Sequence, residues 1–280
     1  MKIQSQSAEI RRLGAPPAYS RVVEAALKIS PSSAGEFKSC PQLLKFRAID
    51  RLPEPFSPAA ARGSLVHGVL ERLFREPPEA RTPANAERLL VALWDELRAG
   101  DLAGLDLDDA DWLERSREML GNLFVLEDPR SVTSSQLEWW VEYELEDLHL
   151  RGIIDRLEKR SDGSWVLTDY KTGRVPVERR ELQAFFGLRF YALVCWRAFG
   201  TMPRAIRLVY LSNPEILTLE PNERMLVAFE RQMRALATAI RKAMARDDWR
   251  TSQSALCGFC SFRDRCPAWA EEPVGAAARA

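Results

Sequence analysis

Residues 151–173 read RGIIDRLEKRSDGSWVLTDYKTG, and this stretch decides the fold. Two runs typical of β-strands, 148–157 and 165–170, flank the sequence Ser-Asp-Gly at 161–163. Aspartate and glycine at that point predict a tight turn. The pattern therefore predicts an antiparallel hairpin at the centre of the chain.

Asp155 and Asp169 each stand in an otherwise apolar run of this hairpin. On adjacent antiparallel strands their carboxylates can converge, and Lys171 points to the same face as Asp169 because strand side chains alternate. Buried carboxylates repel each other unless a cation offsets their charge, and oxygen-only ligands suit Mg²⁺ or Mn²⁺. The lysine could orient a water or offset the charge of a phosphate. The pattern indicates metal-dependent phosphodiester hydrolysis, although a surface hairpin with an ordinary Asp–Lys pair has the same short signature.

Composition limits the classes of protein to which this chain can belong. The chain has 280 residues, 46% of them hydrophobic, and a formal net charge of +0. It can form a sizeable core, and any contact with nucleic acid must come from a local basic groove. The beginning of the chain lacks the pattern of a signal peptide, and the longest apolar stretch, 190–199, is interrupted by Arg197. We therefore expect a cytoplasmic protein with no membrane partner and with reduced cysteines.

Two helices upstream of the hairpin carry candidate ligands. Ser30 and Pro31 predict a helix start, and that helix leads to Cys40. A second helix from Arg62 has one apolar face, formed by Leu65, Val66, Val69, Leu70, Leu73 and Phe74. His67 lies on a different stripe beside two glycines, which cost helix stability and suggest that something large approaches closely. Taken alone, the cysteine could be a small buried residue and the histidine could be structural.

The remaining pattern predicts a mixed sheet with helices on both sides. A strand is expected at 136–146, with Leu137, Trp139, Val141, Tyr143 and Leu145 on one face. Helices at 84–98 and 109–126 predict a helical insertion at 84–127. A helix at 178–199, strands at 204–211 and 216–219, and a helix at 222–246 follow. The sequence contains no phosphate loop of the Walker type, so it predicts no helicase motor.

Cys257, Cys260 and Cys266 have the spacing C-x₂-C-x₅-C, which strongly indicates a metal site. Three thiolates are one short of the four that tetrahedral zinc or an iron–sulfur cluster usually needs. Cys40 can supply the fourth. Spacing alone leaves both zinc and an iron–sulfur cluster open.

Together these motifs resemble the RecB-like exonuclease branch of the PD-(D/E)xK nucleases. The resemblance rests on Gly152-x-x-Asp155, Asp169-Tyr170-Lys171, the G-x-x-x-H pattern ending at His67, and the split cysteines, in the family's order over residues 30–270. The cysteines resemble the iron–sulfur members, which include AddB-type subunits and CRISPR-associated nucleases of the family. Ile154 stands where the motif's name has proline.

The resemblance implies an α/β fold of the restriction-endonuclease type, a mixed sheet flanked by helices. Residues 1–29 would be an N-terminal extension, 30–270 one nuclease domain and 271–280 a flexible tail. A [4Fe-4S] cluster on Cys40 and the cysteine-rich segment 257–267 would clasp the two ends of the domain.

For the active site, the resemblance implies Asp155, Asp169 and Lys171 as catalytic residues. His67, the two aspartates and the backbone carbonyl of Tyr170 would bind Mg²⁺ or Mn²⁺. The family's Q-x-x-x-Y motif keeps Tyr191, but Gly187 stands in the glutamine position, and Gln183 is a possible substitute. Residues expected to contact or support DNA are Arg62, Arg151, Arg174, Gln183, Arg189 and Tyr191.

The implied function is a DNA nuclease, an exonuclease preferring single strands or duplex ends, in DNA repair or recombination. A separate helicase or recombination protein is a possible partner. The alternative is an iron–sulfur scaffold subunit that binds DNA with little or no turnover, and the glycine at 187 is the feature that favours it.

Overall fold

The computed structural model of the protein describes residues 26–132, 134–176 and 181–269, apart from the side chains of Glu181 and Leu182. The strands are β1 Leu27–Ile29, β2 Ser135–Leu145, β3 Leu148–Lys159, β4 Trp165–Lys171, β5 Ala205–Tyr210 and β6 Glu215–Leu219. The helices are α1 Pro31–Ser39, α2 Pro41–Leu44, α3 Pro58–Arg75, α4 Pro83–Ala99, α5 Asp109–Leu126, α6 Glu181–Ala184, α7 Phe186–Phe199 and α8 Glu223–Arg246.

Local signals in the sequence account for the helix starts. Ser30 and Ser33 cap each other at the start of α1, where Pro31 occupies the first turn. Ser57 and Thr82 accept backbone N–H groups at the starts of α3 and α4, and Asn222 does so for α8. The predicted strands are all present, with ends shifted by one or two residues.

The six strands form one mixed sheet in the order β1-β3-β4-β5-β6, with β2 also paired to β3. β2, β3 and β4 are antiparallel in succession, as predicted, and so are β5 and β6. β1 runs parallel to β3, and β4 runs parallel to β5. The parallel β4–β5 pair requires a crossover, which α7 supplies between them.

Helices cover both faces of the sheet, which confirms the mixed α/β expectation. On one face α1, α7 and α8 enclose an apolar core. On the other face α3, α4 and α5 pack together and share a core with Tyr170, Val209 and Leu211 of the sheet region. The segment 84–127, expected as an insertion, therefore forms part of the second helical layer.

Two expected boundaries differ from the structure. β1 pairs with Leu148–Leu150 of β3, so the sheet begins before the boundary expected at residue 30. The expected helix 178–199 is broken at Phe185, between α6 and α7, and residues 177–180 lie outside the described residues. Most of the N-terminal extension and the tail 271–280 also lie outside the described residues. Within the described ranges, none of the helices combines the length and apolarity needed to cross a bilayer.

Candidate active site

The site lies at a fork in the sheet beside β3. β2 pairs with β3 along almost its whole length, so β1 and β4 must share the other edge of β3. β1 pairs with that edge only at Leu148–Leu150, and β4 only from Arg156 onward. The edge between them is open at residues 151–155. Asp155 stands at the end of this gap, where β4 separates from β3.

A kink in β2 brings a further carboxylate to the fork. Glu138 has a φ of 44°, in the left-handed region, and the backbone ladder between β2 and β3 is interrupted at Glu138 and Asp155. Leu137 consequently packs with the α3–α5 layer, whereas Trp139 packs on the opposite face of the sheet. The expectation that these two side chains share a face was wrong. Positive φ in a non-glycine residue is strained and occurs frequently at functional sites.

His67, Glu138 and Asp155 form a group that could hold a metal ion. One ligand atom from each lies within 4.8 Å of the other two, and His67 Nδ1 is 3.4 Å from Asp155 Oδ2. These residues also line a small cavity of about 10 Å³, room for about one water or ion. The imidazole and carboxylates are suitable ligands for Mn²⁺ or Mg²⁺. Sequence reasoning missed Glu138 because simple alternation makes it an ordinary solvent-facing glutamate.

Asp169 and Lys171 lie beside this group. Arg156 pairs with Thr168, which places Asp155 and Asp169 at neighbouring positions on β3 and β4. Lys171 Nζ lies 2.5 Å from Asp169 Oδ2, so the two side chains meet on one face as predicted. Among the residues that the structure describes, Asp169 is not part of the three-residue group. Its carboxylate is instead bound by the lysine.

The electrostatics of the site favour a bound cation. Burial and the neighbouring Asp169 raise the pKa of Asp155 to about 8, although the Tyr170 N–H donates to Asp155 Oδ2 at 2.9 Å. Burial also raises the pKa of Glu138. Burial lowers the pKa of His67, which favours the neutral imidazole that binds metals. Burial alone would lower the pKa of Lys171, but Asp169 and Asp155 raise it and keep the ammonium charged.

A buried ion-pair network lies beneath the site. Arg156 is fully buried and binds both carboxylate oxygens of Glu127, at 2.7 and 3.0 Å. It also donates to the Tyr170 hydroxyl at 2.6 Å, and Arg207 lies 3.3 Å from Glu127. The network fixes the Tyr170 ring, while the Tyr170 backbone hydrogen-bonds to Asp155 and His67. Sequence reasoning did not identify it.

Comparison with known proteins now identifies the family. A model of the PD-(D/E)XK nuclease superfamily matches residues 28–267. The chain belongs to the PD-(D/E)XK nuclease superfamily. The superfamily part of the sequence resemblance is therefore confirmed, whereas the RecB-like iron–sulfur branch stays a prediction. A search of curated proteins found no match.

Comparison with solved structures supports the same fold in one case. A protein of Eubacterium rectale described as a candidate exonuclease is 11% identical, with a TM-score of 0.55, over 84% of this chain and 88% of that chain. SSO0001 is 14% identical, with a TM-score of 0.42, over 89% of this chain and 90% of that chain. At such low sequence identities, structural similarity is evidence for the fold alone. A TM-score of 0.42 is too low to serve as evidence even for the fold.

Tyr191 explains the glycine of the nuclease's first motif. A Cβ at Gly152 would lie 2.6 Å from the Tyr191 ring, so only glycine leaves room for it. Burial raises the pKa of Tyr191, and Asp169 and Asp155 raise it further. The tyrosine therefore lies near the carboxylates as a neutral phenol.

Gly187 of α7 occupies the glutamine position of the expected Q-x-x-x-Y motif, one turn before Tyr191. A Cβ at Gly187 would lie 3.8 Å from Pro31, an ordinary contact, so the backbone has room for a larger side chain. Gln183 is exposed on α6, and the break at Phe185 separates it from the helix that carries Tyr191. A continuous helix over 178–199 would have put Gln183 on the same face as position 187, and the break at Phe185 removes that alignment.

The glycines of α3 accommodate the protein's own side chains. A Cβ at Gly63 would lie 3.2 Å from Thr172 Oγ1, and one at Gly68 would lie 2.8 Å from Leu93 Cδ2. The large group expected to approach α3 closely at these glycines is therefore the protein itself: Thr172, just after β4, and Leu93 of α4.

The predicted phosphate-binding arginines have varied surroundings. Arg62 pairs with Asp111 at 3.2 Å and stacks on Trp112 at 4.8 Å, so it contributes to packing in the helical layer. Arg189 lies over the Phe229 ring at 5.2 Å. Arg151 is half-buried, and Arg174 is exposed. Two of the four arginines, Arg62 and Arg189, thus make packing contacts with aromatic rings.

Four cysteines of this nuclease, Cys40, Cys257, Cys260 and Cys266, line one cavity of about 80 Å³, here called the four-cysteine cavity. The Ser252 N–H donates to Cys40 Sγ at 3.4 Å, which connects the α1–α2 region to the C-terminal segment. Within the described residues, no three of these sulfurs lie within 4.8 Å of one another. The fifth cysteine, Cys195, is fully buried in α7, and burial raises the pKa of its thiol to about 12.

Proposed function

We propose that this protein is a deoxyribonuclease that depends on Mg²⁺ or Mn²⁺. The observation that carries the proposal is the convergence of His67, Glu138 and Asp155 beside the Asp169–Lys171 pair. Three ionisable ligands beside a carboxylate–lysine pair have little structural purpose at the fork of the sheet, because the carboxylates repel one another and their burial is costly. A divalent cation would relieve both costs.

Each residue has a distinct proposed role. Neutral His67 and the carboxylates of Glu138 and Asp155 would hold the metal, joined by the Tyr170 backbone carbonyl. Asp169 would be a further carboxylate of the site and would hold Lys171 in place. When bound, the ion supplies an acidified water and neutralises phosphate charge. Lys171 would orient the attacking water and stabilise charge that develops on the phosphate.

The finer assignment follows the sequence resemblance. We propose an exonuclease that prefers single-stranded DNA or duplex ends and acts in DNA repair or recombination in the cytoplasm. A separate helicase or recombination protein would supply strand separation, since the chain has no Walker-type loop. The fold similarity to a candidate exonuclease of Eubacterium rectale is consistent with this proposal.

The test is cleavage of end-labelled single- and double-stranded DNA with Mg²⁺, Mn²⁺ or EDTA. Asp169→Ala and Lys171→Ala should each abolish cleavage while DNA binding persists, because affinity comes mainly from phosphate contacts elsewhere. Asp95→Ala, at an exposed position of α4, is the matched control and should cleave like the wild type. Undiminished cleavage by Asp169→Ala would refute the site assignment.

The alternative is a scaffold subunit that binds DNA without turnover. Gly187 and the exposed, separated Gln183 favour it, because a side chain of the expected motif is missing from the site. Tight DNA binding combined with no cleavage under any metal would support the scaffold. Metal-dependent cleavage lost in Lys171→Ala would exclude it.

We further propose that the four-cysteine cavity holds a [4Fe-4S] cluster with a structural role. Tetrahedral zinc, with Zn–S bonds of about 2.3 Å, brings its sulfurs to about 3.8 Å from one another. In the described part of the chain no three of the four sulfurs lie within 4.8 Å of one another, and the sequence resemblance favours the cluster over zinc. Backbone N–H donors to Cys40 and Cys257 also suit thiolate ligands.

Anaerobic purification with analysis of iron, sulfide and zinc tests the cluster. Cys40→Ser and Cys257→Ser should lose iron and the visible absorbance of the cluster, and should melt at lower temperature because the clasp is lost. Cys195→Ala should retain the iron, since this cysteine lies in the core of α7. Stoichiometric zinc without iron would overturn the cluster assignment.

A further inference from the structure

An exposed aromatic side chain lies next to the candidate metal group. Trp140 of β2 pairs with Ile153 of β3, and their side chains are 50% and 43% exposed. Their neighbours Trp139 and Ile154 pack in the core under α1, α7 and α8, so Trp140 and Ile153 lie on the opposite face of the sheet, which α3 and its His67 cover. Glu138 and Asp155 are adjacent to this pair along the strands, about 7 Å away. We call Trp140 and Ile153 the apolar platform.

Neighbouring side chains hold the indole in place. Trp140 Nε1 donates to Glu142 Oε2 at 3.2 Å. The guanidinium of Arg151 lies 5.8 Å from the centre of the indole ring. The indole is therefore oriented before any ligand arrives, and a cation lies beside it. A large aromatic ring left exposed in this setting indicates a ligand with an apolar face and negative charge.

We propose that the apolar platform stacks on one unpaired nucleobase of single-stranded DNA, next to the phosphate bound at the active site. Aromatic rings bind bases of any sequence because every base has a flat face. A base within a duplex has both faces covered by its neighbours, so the platform favours a single strand or a frayed end. Arg151 would face the phosphate that joins the stacked nucleotide to the next nucleotide of the DNA strand. The proposal rests on the nuclease function and adds a binding position for one base of the substrate.

Acidic residues limit the platform to a short stretch of DNA. Glu142 and Glu144 follow Trp140 on the same strand face, and Arg151 is the cross-strand partner of Glu142. Their carboxylates would repel further phosphates along the strand. We therefore expect one stacked base on this side of the metal group.

Fluorescence anisotropy with a labelled single-stranded oligonucleotide tests the platform. The measurement uses EDTA, because a metal-dependent nuclease leaves the DNA intact without metal. Trp140→Ala should weaken binding by about 5- to 150-fold, the range for loss of one stacked base. Trp140→Phe should restore most of the affinity, since phenylalanine also stacks. Val125→Ala, which changes a side chain that is 76% exposed on α5, is the control and should bind like the wild type.

A substrate with one abasic position, moved along the oligonucleotide, identifies the stacked base. At one position the abasic substrate should weaken binding to the wild type and leave binding to Trp140→Ala unchanged, because the base and the indole act as a pair. Unchanged affinity of Trp140→Ala at normal thermal stability would overturn the platform. So would an equal loss of affinity for duplex DNA, or a change in oligomeric state that accounts for the loss.

The failure of the platform and the failure of the nuclease function give different results. Metal-dependent hydrolysis of bis(4-nitrophenyl) phosphate, which has no base, reports the function of the wild type alone. If the wild type with metal hydrolyses neither this compound nor DNA, the nuclease function is refuted. Hydrolysis of this compound combined with equal DNA affinity of Trp140→Ala and the wild type would refute only the platform.

Discussion

The substitution Asp155→Asn should stabilise the metal-free protein while abolishing cleavage. Burial and Asp169 raise the pKa of Asp155 from 3.8 to about 8. Between these values the folded state holds a proton that the unfolded state has released, so stability falls as pH rises through this window. Below pH 3.8 Asp155 is protonated in both the folded and the unfolded state. Above about pH 8 it is ionised in both states, and the loss of stability is complete. Asparagine keeps the acceptor for the Tyr170 N–H but carries no charge.

The size of the effect follows from the same values. Each tenfold change in proton affinity corresponds to about 1.36 kcal/mol, so a pKa raised from 3.8 to about 8 sets a ceiling of about 6 kcal/mol. The side chain is 16% exposed, so partial hydration reduces the cost. We expect a gain of about 2 kcal/mol at pH 8, which for a chain of this size raises Tm by about 4–8 °C.

Thermal melts in EDTA from pH 5 to pH 9 test this prediction. The difference in Tm between Asp155→Asn and the wild type should grow with pH and level off near pH 8. Saturating Mn²⁺ should reverse the order, since ligand binding stabilises only the protein that retains the site. Asp95→Asn, on the exposed side of α4, should match the wild type throughout. A difference that is independent of pH, or a less stable Asp155→Asn at pH 8, would refute the electrostatic argument.

Three further predictions concern neighbouring residues. Glu138→Gln should weaken Mn²⁺ binding in calorimetric titration at least about tenfold, because it removes a charged ligand, and unchanged affinity would exclude it from the site. Glu127→Ala should lower the free energy of unfolding by about 3–5 kcal/mol because Arg156 would be left buried and unpaired, and a loss below about 1 kcal/mol in denaturant titration would contradict this. Gly152→Ala should destabilise the fold by about 1–3 kcal/mol through overlap with the Tyr191 ring. Adding Tyr191→Ala should recover part of that loss, and strictly additive losses would argue against the contact.

Much of the site could be predicted from local sequence. The tight turn at 161–163 sets the pairing of β3 with β4, which places Asp155 near Asp169. The apolar stripe of α3 likewise predicted that His67 lies off the buried face of the helix. That prediction needs only the helical period, which does not depend on the rest of the fold. Turns, caps and periodicity depend on residues close in the chain, and for that reason they are readable without the structure.

Other features of the site depended on contacts between distant segments. Glu138 reaches the metal group only because β2 is kinked against β3, and alternation along one strand cannot reveal a kink. Arg156 and Glu127 resemble solvated charges in sequence, yet in the fold they form a buried pair under Tyr170. The strand pattern of the hairpin and the ligand chemistry of its aspartates were determined by the sequence alone. Which other charges join them was decided by tertiary packing, because burial and cross-strand distance exist only after the sheet and its helices have assembled.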